Sequence, residues 1–97
     1  MKTIEMFSLV GNFAENKDLA RKTRVEKIIP SLNEQEEVTL DFQDVDSATQ
    51  SFIHALISDL IRKYGVEVMD HIYFKNCSET VKKIIGIVVD YMQEGDE

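Results

Sequence analysis

Residues 38–53, VTLDFQDVDSATQSFI, constrain the fold more than any other stretch of the chain. Val38, Leu40 and Phe42 alternate with Thr39 and Asp41. That period of two predicts a strand over residues 37–43 with one apolar face and one polar face. A strand covered by helices on both sides would read as continuously apolar instead. An acidic loop with Asp44 and Asp46 follows. Then comes the clearest helix, about residues 50–64, where Phe52, Ile53, Leu56, Ile57, Leu60, Ile61 and Tyr64 form a broad apolar stripe. Its start carries the capping-box spacing Ser47-x-x-Gln50, with Thr49 as an alternative N-cap. Gly65 is a natural C-cap.

The flanking segments repeat this strand-then-helix alternation. Residues 3–10, TIEMFSLV, predict a strand that places Glu5, Phe7 and Leu9 on one side and Ile4, Met6 and Val10 on the other. Gly11-Asn12 supplies the turn. A basic helix is expected from about Asn16, with Leu19, Val25, Ile28, Ile29 and Leu32 as its partial stripe. Pro30 predicts that this helix ends or kinks near Ile29, with a turn or loop through Asn33. Within residues 66–75 a third strand is expected from His71, with Ile72 and Phe74 inward. Asn76-x-x-Glu79 reads as a second capping box, opening a helix of about residues 78–92.

The resulting order, βαβαβα, predicts an α/β domain with a mostly parallel sheet of three to four strands. Alternating polarity in the strands predicts two layers, with helices mainly on one face. The open face would show Thr39, Asp41, His71, Tyr73 and Lys75, and some apolar groups of the first strand. That face and the two sheet edges suggest a homodimer surface around Phe7, Leu9 and Tyr73. Residues 1–97 are expected to form a single domain whose tail, 93–97, is frayed.

Charge and composition narrow the function. The net charge of −7 opposes a nucleic-acid backbone as partner. It is unevenly spread: residues 34–46 hold six acids and no base, while residues 17–27 hold five bases against Asp18 and Glu26. Either surface can steer a charged protein partner. No apolar run approaches the roughly 20 residues that span a bilayer. Glu5 interrupts any signal-peptide pattern. Together with a single cysteine, Cys77, this predicts a cytoplasmic protein with no membrane association.

Catalytic chemistry finds little purchase. No glycine-rich phosphate loop and no nucleophile–base pair is present. His54 and His71 lack companions at metal-ligand spacing. Asp41, Asp44 and Asp46 are too strung out for a magnesium site. Cys77 stands at a strand-to-helix junction, where a helix dipole can activate a thiol. No catalytic residue, metal or cofactor is therefore expected. The candidate site is the junction of the second strand and its helix: Asp44, Asp46, Ser47, Thr49 and Ser51. Ser51 falls in the first helical turn, where free N–H groups favour an anion. A phosphate on Ser51, Thr49 or Ser47 would add about −1.5 to −2 charge beside Asp44 and Asp46. A ligand-binding or enzymatic domain using residues 10–13, 44–51 and 76–78 as a crevice is the alternative.

The stretch VTLDFQDVDSATQSFIHALI resembles a STAS-like domain family of uncharacterised function, distantly similar to the anti-sigma-factor antagonists. The shared elements are a basic helix, a VTLDF-type strand, "DV…TQSFI" opening an apolar helix, and a strand ending FKN, over roughly residues 19–92. The resemblance implies a bacterial, non-enzymatic regulatory interaction domain. Such a domain acts like an anti-sigma-factor antagonist or partners a histidine-kinase-type ATPase. In the antagonists the helix opens on Asp-Ser-Ser-Gly, and the kinase-phosphorylated serine corresponds to Ser51. Thr49, Gln50 and Phe52 stand where that motif has its acid, first serine and glycine.

Overall fold

The computed structural model describes residues 2–95. Strand β3, Val38–Asp41, is the centre of a three-stranded parallel sheet. It pairs on one side with β1, Lys2–Glu5, and on the other with β5, Ile72–Lys75. A second, two-stranded parallel sheet joins β2, Phe13–Ala14, to β4, Ser47–Ala48. In register, Val38 stands beside Ile72, and Leu40 lies between Ile4 and Phe74. These residues form the sheet's contribution to the core, where Met6, Phe42, Phe52, Leu56 and Leu60 are also fully buried.

The other sheet face is polar. Thr3, Thr39 and Tyr73 form one cross-strand row, and Glu5, Asp41 and Lys75 the next. The α/β class, the parallel sheet and helices mainly on one face therefore hold as the alternating polarity predicts. The expectation of apolar groups from the first strand on this face does not. Partners exist only for Lys2–Glu5, and the chain then turns at once into helix α1, Met6–Val10. Ser8 Oγ donates to the Glu5 carbonyl at 2.9 Å, and the Gly11 N–H closes the turn on Phe7. Gly11 makes that exit at φ 76, a backbone region open to glycine. Phe7 and Leu9 thus belong to a helical turn and not to the sheet face, which leaves Tyr73 as the aromatic there.

Helix α2, Lys17–Thr23, is capped by Asn16, whose side chain accepts from the N–H groups of Asp18 and Leu19. It does not stop before Pro30. A π-helical turn over Arg24–Ile28 leads directly into α3, Ile29–Asn33, with the Ile29 N–H reaching the Arg24 carbonyl. Widening a turn makes room for a ring that would clash with the carbonyl four residues back. Proline then sits where its missing N–H costs least, in the first turn of α3. The predicted loop through Asn33 is therefore helix, and the chain leaves it through Gln35 at φ 63. Val25, expected inward, is exposed; Ala20, Arg24, Ile28 and Ser31 face in.

Helix α4, Gln50–Tyr64, buries the seven-residue stripe apart from Tyr64, which is half-buried. A 3-10 helix, Val66–His71, buries Val68 and takes in His71, so the third strand begins at Ile72, one residue later than expected. Helix α5, Glu79–Gly95, runs three residues beyond the predicted end at 92, so residues 93–95 continue the helix. The remainder of the predicted frayed tail, residues 96–97, lies outside the described residues. No described helix is long and apolar enough to cross a membrane.

Candidate functional site

Three segments leave the carboxyl ends of the large sheet, and main-chain bonds tie them together. The N–H groups of Asp46 and Ser47 both donate to the Asn12 carbonyl, at 2.8 and 3.4 Å. Thr49 N–H donates to the Ala14 carbonyl at 3.0 Å. Ser78 Oγ donates to the Asp46 carbonyl at 2.9 Å. Val45 and Ala48 are buried beneath. The small sheet thus lies across the region where the alternative expectation puts a crevice, between residues 10–13, 44–51 and 76–78. A hollow lined by Glu5, Phe7, Ser8, Asp41, Gln43 and Asp44 has a volume of about 120 Å³.

Both helix starts differ from the capping-box reading. Thr49 is the N-cap of α4: its hydroxyl accepts from Phe52 N–H at 3.1 Å. Ser47 is drawn into β4 opposite Phe13. Likewise Ser78, not Asn76, caps α5, accepting from Val81 N–H at 3.1 Å. Asn76 adopts φ 57 and donates to Asp41 Oδ1 at 3.1 Å. Thr49→Ala is expected to lower stability by about 1 kcal/mol, read as a shift in the urea midpoint. A loss under a few tenths of a kcal/mol would mean that water caps the helix equally well.

With Thr49 as the cap, Ser51 is the second residue of the helix and its side chain is exposed. Asp44, at φ 69, and Asp46 are exposed on the preceding loop, and Ser47 and Thr49 are half-buried. Asp41 is held below the usual carboxylate range by the Gln43 N–H, then by Asn76 and Lys75. Its accepting oxygen is thus engaged within the loop. Among the described residues no three His, Cys, Asp or Glu side chains gather to hold a metal ion. Burial raises the Cys77 thiol, outweighing the pull of Lys82, which disfavours the reactive thiolate. His71 is exposed, and Tyr73 donates to Glu37 at 3.0 Å.

Ser51 also lines a groove on the helix layer, together with Lys17 and Arg21 of α2, His54 of α4 and Tyr91 of α5. In the sequence these stand in separate segments with no shared role. Helical spacing from Ser51 to His54, and the basic run on α2, are the legible hints. Arg24 is a further residue that the apolar stripe does not reveal. It is 8% exposed, and it donates to the Ala55 carbonyl at 2.6 Å and pairs with Asp59 at 3.2 Å. Its place four residues from both Ala20 and Ile28 marks it as inward-facing.

A family model described as a STAS-like domain of unknown function (DUF4325) matches residues 25–82, more than half of the chain. The chain belongs to this STAS-like family. No curated protein and no solved structure matches the sequence. The matched segment of this STAS-like domain runs from the π-helical turn to the first residues of α5. It includes the whole junction from Asp44 to Ser51. Lys17, Arg21 and Tyr91, which line the groove with Ser51, lie outside it.

Proposed function

We propose that this STAS-like domain is a non-enzymatic regulatory module. It docks a protein partner at the junction from Asp44 to Ser51, and phosphorylation of Ser51 sets the affinity. Placement of Ser51 carries the reading. Its hydroxyl stands exposed in the first turn of a helix already capped by Thr49, in a groove that Lys17 and Arg21 also line. A phosphate there would meet unsatisfied N–H groups, the positive end of the helix dipole and two cations. The role would be that of an anti-sigma-factor antagonist, or of a partner to a histidine-kinase-type ATPase. The knitted strand ends support docking over the alternative, a catalytic or ligand-binding crevice. A cytoplasmic, bacterial setting suits such a regulator.

Affinity purification from the native cell with wild type, Ser51→Ala and Ser51→Asp tests this. One protein should co-purify with wild type and Ser51→Ala, and its affinity for Ser51→Asp should differ by about tenfold, or 1.4 kcal/mol. Intact mass after incubation with a co-encoded kinase should rise by one phosphate, and not in Ser51→Ala. Identical partners and affinities across the three proteins, with no added phosphate, would remove the proposal.

A further inference from the structure

Helix α4 lies between α2 and α5, and its outward side is left as the floor of a groove of about 560 Å³. Ser51, His54, Ala55 and Ser58 make that floor, spaced three and four residues apart, and Arg62 closes one end. From Ser51 to Arg62 the floor is about 16 Å long at 1.5 Å per residue, or three helical turns. The small side chains at 51, 55 and 58 allow another backbone to approach.

The two walls differ in chemistry. On the α2 side stand Lys17, Arg21 and Arg24; on the α5 side stand Ile87, Val88 and Tyr91. Ile87 is 40% and Tyr91 64% exposed, although both are large and apolar in body. The chain as a whole has 18 acids against 11 bases. Its groove reverses that balance, with four bases facing one acid, Asp59. That acid is already engaged by Arg24 at 3.2 Å and Arg62 at 3.0 Å. Arg21 has a contact at 3.8 Å with Asp18, but both are well exposed, so the pair is weak and exchangeable.

We infer that this groove receives an acidic amphipathic helix of a partner protein. The apolar side of that helix packs on Ile87, Tyr91 and Ala55, and its carboxylates meet Lys17, Arg21 and Arg62. Charge complementarity selects the occupant. Outside the groove the chain carries 17 acids against seven bases, so a cationic partner is favoured elsewhere and an acidic one is favoured here. A nucleic acid shares the negative charge, but its dense phosphate backbone is opposed by the chain's net charge of −7. The mode is a helix laid in a groove, read by anchors at three- and four-residue spacing. The inference rests on the domain being a docking module and adds the chemistry of what docks. Lys17, Arg21 and Tyr91 lie outside the residues that the family model matches.

Selection of 16-residue peptides from a displayed random library on the whole protein provides the test, followed by fluorescence titration of the enriched peptides. The variants are Lys17→Glu/Arg21→Glu, Tyr91→Ala and, on the opposite sheet face, Lys75→Glu. Circular dichroism and the urea midpoint of each variant separate a lost contact from a lost fold. Enriched peptides should be rich in Asp and Glu with apolar residues at helical spacing. Their affinity should fall at least tenfold on the charge reversal and on Tyr91→Ala, weaken with salt, and stay unchanged with Lys75→Glu. Enrichment without acidic bias, an affinity indifferent to the charge reversal, or failure to enrich any peptide would overturn the inference. So would a doubled mass in sedimentation that the charge reversal abolishes, since a second copy would then fill the groove. Peptides lost instead on Asp44→Lys/Asp46→Lys would overturn the groove while leaving the docking role intact. The Ser51 purification addresses that role independently.

Discussion

Phe42→Ala is expected to cost the fold about 3–5 kcal/mol, a large share of the roughly 5–15 kcal/mol that holds a domain of this size. Phe42 is fully buried just past the end of the central strand, and its ring lies 6.4 Å from that of Phe74. Truncation removes the transfer free energy of the ring and leaves a cavity that the surrounding core only partly fills. The backbone bonds at this position, Phe42 N–H to the Lys75 carbonyl and Val45 N–H to the Phe42 carbonyl, survive the change. The loss should therefore lower the urea midpoint without altering its slope. Phe42→Leu, which keeps most of the apolar volume, should recover much of the difference. A loss below about 1 kcal/mol for Phe42→Ala would show that the ring is not packed as described.

Arg24→Ala is expected to cost about 2–3 kcal/mol, the worth of a hydrogen bond from a charged donor together with the packing of its stem. The expectation divides unequally between its two partners. Asp59 is half-exposed and keeps Arg62, so water and a second cation absorb its loss. Coupling between Arg24 and Asp59 in a double-mutant cycle should thus stay under about 1 kcal/mol. Most of the cost lies at the part-buried Ala55 carbonyl and in the space the guanidinium fills between α2 and α4. Arg24→Met, which retains the apolar stem, should be milder than Arg24→Ala. A coupling energy equal to the whole loss would instead place the stabilisation in the ion pair with Asp59.

The parts legible in the sequence are those where a single local pattern decides the outcome. Alternation at Val38, Leu40 and Phe42 can only be a half-buried strand. The stripe from Phe52 to Ile61 can only be a helix packed on it. Where two local choices are nearly equal in energy, distant chain segments decide. Ser47 and Thr49 are both good caps; pairing of Ser47 with Phe13 leaves Thr49 for the helix. Asn76 and Ser78 divide in the same way once Asn76 bonds Asp41. The run from Met6 to Val10 suits strand or helix alike, and it becomes helix because β3 offers no further partners. Pro30 is a different case. Proline rules tell where an α-helix cannot continue regularly, not whether a wider turn carries it past. The groove is hidden for a related reason: Lys17, Arg21, His54 and Tyr91 meet only when three helices are side by side. Among the site residues, Ser51 and the acidic loop can be located from sequence, but not the cations that share its groove.

Every strand pairing described joins positions about a third of the chain apart: Lys2 with Val38, Phe13 with Ser47, Val38 with Ile72. No hairpin exists among them to form quickly and wait for the rest. Each pairing must close a long loop before it gains any bond, and because that penalty grows only logarithmically with length, the three closures are nearly equally uphill. β3 takes part in two of them, and the segment that follows it carries the third, at β4. Folding is therefore expected to turn on residues 38–48, which take part in all three pairings. Such a topology folds slowly for its size. Until β1 and β5 pair with it, both edges of β3 are open to an intermolecular strand.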